Sequence, residues 1–371
     1  MRLPKRPEQW LMLVLITTLF VLATRHTARN GIDGAVKLRI EPTIEDTPHK
    51  ADLPREGADL PREGTDAVTI LTLGDVARCK PENLYGYLRI GLHYLRHSHI
   101  ASYGKAKGAA QTAKLVAQFP NAEILGLGDL VYPHGSLFSY KYCFAKYFGA
   151  AFDRIHPVPG NHDYKRSAAI GYFDYWGKRA GPRDKGYYSI DRGEWHIIAL
   201  NSELITDAFR AQMEWLKDDL LKTSKPCILA FFHRPPFSTR ERSGDWIARK
   251  LFELLHAHGT TIVLTGHNHF YERTAPLDPT GAIQKDRGVR VFVVGTGGGK
   301  MHNYAGTPAP FTEALVTGVW GALKLDLSEN GYRWTFMTAP AGEVRDRGTG
   351  ACVDRDLLTP VVMQAADRET R

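Results

Sequence analysis

From residue 67 onward, short apolar runs rich in β-branched side chains alternate with longer stretches of helical spacing. The apolar runs are typical of buried strands and predict strands at residues 68–73, 122–127, 195–200, 227–232, 261–264 and 289–294. Helices are predicted at residues 109–118, 208–221 and 245–257. Because the order is broadly β-α-β, the pattern predicts an α/β domain whose sheet layers are covered by helices.

The pattern changes after Gly318, where strand-like runs at residues 321–327 and 332–338 follow one another closely and predict antiparallel pairing. We predict that the domain spans residues 67–340 and that residues 341–371 form a C-terminal tail. Cys352 in this tail is available to crosslink it to the domain.

The N-terminus has the pattern of an export signal. Arg2, Lys5 and Arg6 precede an apolar, uncharged stretch at residues 10–23, and further basic residues follow it. The stretch is shorter than the roughly 20 residues that a membrane-spanning helix needs. Residues 22–24 match a small-residue cleavage site poorly, which favours an anchor over a cleaved signal. We interpret residues 1–26 as a signal peptide or N-terminal membrane anchor, and either one places the remaining chain outside the cytoplasm, secreted or anchored.

Residues 27–66 have the composition of a linker, with four prolines and no aromatic residue. The sequence Ala-Asp-Leu-Pro-Arg-Glu-Gly occurs twice in tandem, at residues 51–57 and 58–64. Proline in each copy disfavours a helix, and two copies are too few for a solenoid. We therefore expect a flexible tether between the N-terminal segment and the domain.

Length and charge set wide limits on function. A chain of 371 residues is long enough for one large domain with a substantial core. The net charge of +8 suits acidic substrates, nucleic acid or an anionic membrane, and does not choose among them. Since no basic run is interleaved with aromatic residues, no nucleic-acid-binding module is expected.

The four cysteines are compatible with disulfides in an exported chain. They are Cys79, Cys143, Cys227 and Cys352, which allow three full pairings that the sequence leaves open. Cys227 lies inside an apolar run, where a buried free thiol is the alternative. The absence of a C-x-x-C pair gives no support to a zinc knuckle.

Polar side chains follow five apolar runs, at the carboxyl ends where ligands bind in open α/β sheets. They stand in Gly74-Asp75, Gly128-Asp129-Leu130-Val131-Tyr132, Gly160-Asn161-His162-Asp163, His233 and Gly266-His267-Asn268-His269. The donors are oxygen and imidazole without thiolate, which suits Fe, Mn or Zn with room for water. Each motif alone is weak, since a Gly-Asp after a strand is usually a turn. Together and in this order, they predict a metal site.

This ordered set resembles the calcineurin-like metallophosphoesterases, and among them the purple acid phosphatases. The resemblance spans residues 67–340. Tyr132 and the extension Phe270-Tyr271-Glu272-Arg273 distinguish this subgroup from relatives that have Asp-x-His in the first motif. Ala77 stands where those relatives have the histidine, which removes no ligand in the tyrosine-bearing subgroup. The resemblance implies two packed β-sheets flanked by helices.

The resemblance also implies a dinuclear metal site. Its ligands would be Asp75, Tyr132 and His269 for one ion, Asn161, His233 and His267 for the other, and Asp129 bridging the two. A phenolate ligand favours ferric iron, so the implied pair is Fe(III) with a divalent Fe, Zn or Mn. The spacing agrees with this assignment, because residues 267 and 269 of an extended segment point the same way.

The implied activity is hydrolysis of phosphate monoesters by attack of a metal-bound hydroxide, best at acidic pH, on a phosphorylated small-molecule substrate. His162 would protonate the leaving alcohol or hold the phosphate. Asp163 would orient His162, with a solvated turn as the alternative. Arg78 and Arg234 are candidate phosphate-binding cations, with an ordinary surface position as the alternative.

Two alternative functions stay open. One is a phosphodiesterase or nucleotidase on the same site, and the other is a non-catalytic, surface-tethered protein. The presence of every expected ligand type disfavours the second.

Two further features resemble functional sites. Residues 295–299 resemble a phosphate-binding glycine loop but lack the following helix of a dinucleotide fingerprint, so we expect a turn near the site mouth. His93, His97 and His99 fit an amphipathic helix in a flap over the site better than a second metal site.

Overall fold

The structure is a computed structural model that describes residues 67–78, 106–165, 167–240, 246–304 and 306–355. The predicted signal or anchor (1–26), the linker (27–66) and the histidine-rich stretch (84–99) lie outside these residues. Among the helices in the described ranges, none combines the length and the hydropathy that crossing a membrane requires.

Strands and helices alternate along the described chain. The strands are β1 (Val68–Leu73), β2 (Ala77–Arg78), β3 (Glu123–Leu127), β4 (Val131–Tyr132), β5 (Ile155–Val158), β6 (Tyr188–Arg192), β7 (Trp195–Ala199), β8 (Cys227–Phe231), β9 (Ile262–Thr265), β10 (Tyr271–Leu277), β11 (Val289–Val294), β12 (Thr312–Val316), β13 (Gly321–Ser328), β14 (Gly331–Thr338) and β15 (Glu343–Ala351). The helices are α1 (Lys107–Val116), α2 (Leu137–Ser139), α3 (Ala145–Phe148), α4 (Ile170–Trp176), α5 (Thr206–Lys222) and α6 (Trp246–Ala257). A π-helical turn, Tyr140–Phe144, joins α2 to α3.

Two large sheets carry the architecture. The first has six strands in the order β15-β14-β13-β1-β3-β5, in which β1, β3 and β5 are parallel. The second has seven strands in the order β12-β10-β11-β9-β8-β7-β6, and its central strands β11, β9, β8 and β7 are parallel. The short strands β2 and β4 pair separately, which brings Arg78 into register with Tyr132.

The core lies in three layers that follow from the two-residue period of the strands. Ile70 of β1 packs between the two sheets with Leu229 of β8, while the adjacent Leu71 packs on the opposite face against helical residues such as Leu115 of α1. On the outer face of the second sheet, Ile228 of β8 packs in the cluster that includes residues of α5 and α6. The predicted fold of two packed β-sheets flanked by helices is therefore confirmed.

The predicted C-terminal tail is wrong for residues 343–351. These residues form β15, the edge strand of the first sheet, which pairs antiparallel with β14. Its sequence carries charged residues and glycines rather than an apolar alternation. Its Asp346 accepts from Tyr271, and Gly348 leaves room for the ring of Trp334, since a Cβ atom there would lie 2.3 Å from it. The buried free thiol considered for Cys227 is also wrong, because Cys227 forms a disulfide with Cys352 just after β15.

Candidate metal centre

The residues that follow five parallel strands converge on one cluster. Asp75 follows β1, Asp129 follows β3, Asn161 follows β5, His233 follows β8, and the His267–His269 pair follows β9. The two sheets are joined here, since Nδ1 of His233 lies 2.9 Å from the carbonyl oxygen of Leu127 at the end of β3. Strand ends of both sheets therefore supply the site.

Three of the predicted ligands form a first group around Oδ1 of Asp75. The phenol oxygen of Tyr132 lies 2.6 Å from this carboxylate oxygen and 3.0 Å from Nε2 of His269. Nε2 of His269 lies 3.0 Å from the same Asp75 oxygen. The structure thus brings together the three side chains that the resemblance assigns to one metal ion.

A second group surrounds Nε2 of His233. Oδ1 of Asn161 lies 3.2 Å from this nitrogen, and Nδ1 of His267 also lies 3.2 Å from it. Oδ2 of Asp129 is 3.5 Å from Nε2 of His233. One ligand atom from each of Asp75, Asp129 and His233 lies within 4.8 Å of the other two, so Asp129 stands between the two groups.

The backbone around the cluster adopts strained conformations. Asp75, Asp129 and His267 have φ angles of 59°, 50° and 67°, in the left-handed region that non-glycine residues rarely occupy. Such conformations concentrate at functional sites because the surrounding structure must hold them. Residue 160 must be glycine because its backbone lies directly against the Asp129 side chain. A Cβ atom there would lie 2.3 Å from Oδ1 of Asp129.

Opposite charges balance one another within the cluster. Burial alone would raise the pKa of Asp75, but the charges of His269 and His233 and hydrogen bonds from His269 and Tyr132 hold it well below its usual range. Burial raises the pKa of the Tyr132 phenol well above its usual range, and the carboxylates of Asp75 and Asp129 raise it further. Without a cation, Tyr132 is therefore a neutral donor to Asp75.

The donor set fits metal ions. Asp75 and His233 are fully buried and Asp129 is 1% exposed, so carboxylates and imidazoles face each other away from bulk water. The donors of both groups are carboxylate, phenol, amide and imidazole, a combination that suits iron, zinc or manganese. Metal binding by these residues stays a prediction that the geometry favours.

His162 lies at the edge of the cluster. Its backbone N–H donates to Oδ1 of Asp129 at 2.7 Å, and its Nε2 is 3.9 Å from Oδ2 of Asp129. The ring packs against Tyr132 with centroids 4.5 Å apart. Burial lowers the pKa of His162, and Lys165 adds to this effect against the opposing charge of Asp129. His162 is only partly buried, so a substrate can reach it from solvent.

The expected role of Asp163 in orienting His162 is wrong in this structure, and so is its alternative of a solvated turn. Asp163 is fully buried; its Oδ1 accepts from the Tyr140 hydroxyl at 2.7 Å and its Oδ2 accepts from the Gly160 N–H at 2.9 Å. The ring of His162 contacts the carbonyl of Pro133 instead. Burial and the charge of Asp129 raise the pKa of Asp163 to about 7. Asp163 therefore fixes the turn that carries Asn161 and His162.

The two candidate phosphate-binding arginines differ. Arg78 is exposed and lies beside Tyr132 in the β2–β4 pairing. Arg234 is partly buried and forms a bidentate ion pair with Glu203, with distances of 2.8 and 2.9 Å. Its charge is therefore already offset by a carboxylate.

The Tyr-Glu-Arg extension turns away from the metal centre. The Tyr271 hydroxyl donates to Oδ2 of Asp346 at 2.6 Å, and Arg273 also contacts Asp346 on β15. Glu272 is fully buried and accepts from the Ser238 hydroxyl at 2.6 Å and from the Thr239 N–H. These residues fix the loops near the site and contribute no ligand to the two groups described above.

His302 is a site residue that the sequence reasoning missed. Its ring stacks on His269 with centroids 4.1 Å apart, and its Nδ1 accepts from the backbone N–H of His269 at 3.1 Å. The preceding glycine loop packs on the end of β1, where the N–H of Gly299 donates to the carbonyl of Asp75 at 2.7 Å. The sequence feature that could have indicated His302 is its position shortly after the glycine loop at residues 295–299.

Together, the sheet sandwich and the strand-end cluster define a metallophosphoesterase fold, and the chain belongs to the calcineurin-like phosphoesterases. The model of the family described as "Calcineurin-like phosphoesterase" matches residues 68–271, more than half of the chain. Family membership implies a metal site and an ester-hydrolase class for the domain.

Individual relatives confirm the resemblance to the purple acid phosphatases. Purple acid phosphatase 15 of Arabidopsis thaliana is 30% identical over 181 residues, which are 43% of this chain and 33% of that protein. Acid phosphatase type 7 of Homo sapiens is 27% identical over 145 residues, which are 32% of each chain. The chain thus spans about a third of the length of these relatives.

Solved structures agree on the fold. Purple acid phosphatase PPD1 from yellow lupin (Lupinus luteus) matches with a TM-score of 0.58 and 18% identity, covering 79% of this chain and 55% of that one. GAP50, the anchor in the inner membrane complex of Plasmodium, matches with a TM-score of 0.55 and 14% identity, covering 82% of this chain and 95% of that one. At these sequence identities, the comparison shows that the folds are similar and nothing more.

Proposed function

We propose that this chain is a dinuclear-metal phosphatase that hydrolyses phosphate monoesters. The observation that carries the proposal is the convergence of seven predicted ligands in two groups with Asp129 between them. Asp75, Tyr132 and His269 would hold one ion, and Asn161, His233 and His267 the other. Two ions in such a site neutralise phosphate charge and activate water for in-line displacement.

The presence of Tyr132 in the first group supports Fe(III) there, with a divalent Fe, Zn or Mn in the second group. The phenol oxygen faces both Asp75 and His269 at hydrogen-bonding distance, so a cation that binds these two residues also meets Tyr132. A hard trivalent ion displaces the phenol proton more readily than a divalent one. Proton release on loading with Fe(III) is therefore part of the proposal.

His162 is the proposed proton donor to the leaving alcohol. Its Nε2 lies beside the bridging carboxylate Asp129, and its partial exposure leaves it accessible to substrate. Asp163 accepts from the Gly160 N–H and so fixes the backbone turn that carries His162, while the ring itself contacts the carbonyl of Pro133. General acid catalysis of this kind contributes typically about 10²–10⁴-fold to the rate.

We also propose an extracytoplasmic location. The Cys227–Cys352 disulfide supports it, because such bonds persist in oxidising compartments. The basic and apolar pattern of residues 1–26 supports it independently.

The proposal is tested by assaying metal-loaded protein against a monoester and a diester that carry the same leaving group. We expect a higher kcat/KM for the monoester. A preference for the diester would replace the proposal with the phosphodiesterase alternative, and no turnover of either ester by protein carrying both ions would support the non-catalytic alternative.

A further inference from the structure

Lys165 places its ammonium group beside the ring of His162. Its Nζ lies 2.8 Å from Nε2 and 3.1 Å from Nδ1 of that ring, while Nδ1 is 2.7 Å from the carbonyl oxygen of Pro133. A carbonyl only accepts hydrogen bonds, so Nδ1 carries the proton. The ammonium group is close to both ring nitrogens at once, so it lies against the ring and does not donate along the lone pair of Nε2. The N–H donors of Lys165 are therefore available to a better acceptor.

The charge of Lys165 is not offset by a carboxylate among the described residues, in contrast to Arg234 with its bidentate partner Glu203. Lys165 is exposed, and its contact with the imidazole ring of His162 brings no negative charge. The side chain therefore brings a net positive charge to the edge of the site.

The backbone on which Lys165 stands is anchored. Two residues earlier, the buried Asp163 carboxylate is held by Tyr140 and the Gly160 N–H. One residue earlier, the Tyr164 hydroxyl accepts from Nδ2 of Asn201 at 2.8 Å. Because the turn is fixed on this side, the base of the lysine stays at the site while its four-carbon chain remains free to swing.

Nε2 of His162 lies between the ammonium group of Lys165 and the carboxylate of Asp129. This nitrogen is 2.8 Å from Nζ of Lys165 and 3.9 Å from Oδ2 of Asp129. A phosphate group bound over Asp129 and beside His162 would present its outer oxygens to this region. Such an oxygen is a better partner for an ammonium group than a neutral imidazole nitrogen, because the hydrogen bond is charge-assisted on both sides.

We propose that Lys165 is a substrate-binding residue that leaves Nε2 of His162 and donates to a phosphate oxygen when the ester binds. The inference rests on the proposed function, because it needs a phosphate group at the metal centre. According to this proposal, the cation that binds the phosphate is Lys165, which follows the Gly160–Asp163 turn. Arg234 does not take this role because it is ion-paired with Glu203. Movement of Lys165 away from the ring also lets Nε2 take up a proton from solvent, which His162 must carry before it can donate to the leaving group.

Inorganic phosphate is the probe that tests this role without relying on turnover. Phosphate is titrated calorimetrically into the metal-loaded full chain and into Lys165→Met, which keeps the side-chain length and removes the charge. We expect Kd to rise about tenfold or more, the effect of losing one hydrogen bond between charged groups. Lys165→Arg is expected to stay within about threefold of wild type, because it restores the cation.

Lys178→Met is the matched control, since Lys178 is an exposed lysine in the turn Gly177–Ala180 and is not among the residues of the metal centre. It is expected to bind phosphate like wild type. A Kd for Lys165→Met within about twofold of wild type would overturn the proposal, as would an equal weakening in Lys178→Met. These comparisons decide the role of Lys165 even if the protein hydrolyses no ester, an outcome that would count against the proposed function alone.

Steady-state kinetics provide a second readout at about pH 7, where a monoester carries close to two negative charges. Lys165→Met is expected to raise KM for a monoester more than it lowers kcat, and to affect a singly charged diester less. An equal loss for both esters, confined to kcat, would contradict a phosphate-binding role.

Discussion

The hydroxyl of Tyr132 donates a 2.6 Å hydrogen bond to Oδ1 of Asp75 in the interior of the protein. Burial and the neighbouring carboxylates raise the pKa of this phenol, so the proton stays on Tyr132 until a cation replaces it. The contact therefore marks where an ion would bind both oxygens.

A change at Tyr132 tests this relationship through colour. A phenolate bound to Fe(III) gives a visible charge-transfer band, so oxidised, iron-loaded wild type should be purple or pink. Tyr132→Phe keeps the ring and should bleach the band, while the loss of one hydrogen bond lowers the free energy of unfolding by only about 1–3 kcal/mol. Absorption spectra and circular dichroism of the two proteins provide the measurement. A wild type that contains iron and is colourless when oxidised would show that Tyr132 is not a ligand.

Replacement of Gly108 in α1 by alanine is predicted to lower the stability of the fold for steric reasons. A Cβ atom there would lie 2.3 Å from the carbonyl oxygen of Gly298, in the loop that packs on the end of β1. Helix propensity alone would make Gly108→Ala stabilising by about 1 kcal/mol, so the clash reverses the sign. We expect a loss of roughly 1–3 kcal/mol in chemical denaturation.

The control for this variant is Gly149→Ala, where the nearest atom would lie 3.7 Å from the new Cβ atom. Gly149 has a right-handed helical conformation, so alanine should be neutral or slightly stabilising. If Gly108→Ala were as stable as Gly149→Ala, the close packing of α1 on the glycine loop would be wrong.

His196 is predicted to stabilise the fold in a pH-dependent manner. Its Nδ1 lies 2.7 Å from Oδ1 of Asp191 and its Nε2 lies 2.9 Å from Oδ2 of Asp219. Burial alone would lower the pKa of His196, but hydrogen bonds with Asp219 and Asp191 outweigh it and raise the pKa above 6.5. A raised pKa means that the stabilisation is complete below the unfolded pKa and is lost as pH rises through the folded pKa.

His196→Gln should therefore lower the free energy of unfolding by about 1–3 kcal/mol at about pH 5, and by less at about pH 8.5. Denaturant titrations at both pH values measure this difference. His256→Gln is the comparison, because burial lowers the pKa of His256 and the sign of its pH trend should be opposite. A loss at His196 that does not change with pH would contradict a protonated histidine between the two carboxylates.

The Cys227–Cys352 disulfide closes a segment with a sequence separation of 125 residues, and it joins β8 to the end of β15. Loss of a crosslink of this span should lower the free energy of unfolding by about 3–5 kcal/mol. Since either substitution removes the same bond, Cys352→Ala and the double variant Cys227→Ala/Cys352→Ala should differ little from each other. Additive losses in denaturant titrations would indicate that the two cysteines act independently.

The sequence predicted which side chains would lie together, because most of them follow a recognisable buried strand. Asp75 follows the run VTILTL, and His233 comes soon after CILAF, with every residue of that strand buried. The period and the turn residues are local signals, so the strand ends that carry the site were predictable from the sequence. The division of the ligands into two groups came from the family resemblance.

The remaining contacts depend on tertiary packing that local patterns do not encode. Asp163 meets Tyr140 across 23 residues, and Arg234 meets Glu203 across 31 residues, so neither partner could be assigned from the motifs. Strand β15 was not predicted because it is an edge strand whose exposed Arg side chains and glycines give no apolar period. The helical residues between 137 and 154 were not predicted, since their apolar side chains pack into the outer cluster without strict periodicity.

The most direct test of the account is the metal content of purified wild type and of Asp129→Asn. Asp129 is 1% exposed and stands between the two groups of predicted ligands, and asparagine keeps its volume while removing the charge. We predict two metal ions per wild-type chain by elemental analysis, and fewer in folded Asp129→Asn, together with loss of nearly all phosphatase turnover. A wild type that binds no metal, or an Asp129→Asn protein that keeps both ions and full turnover, would contradict the dinuclear site.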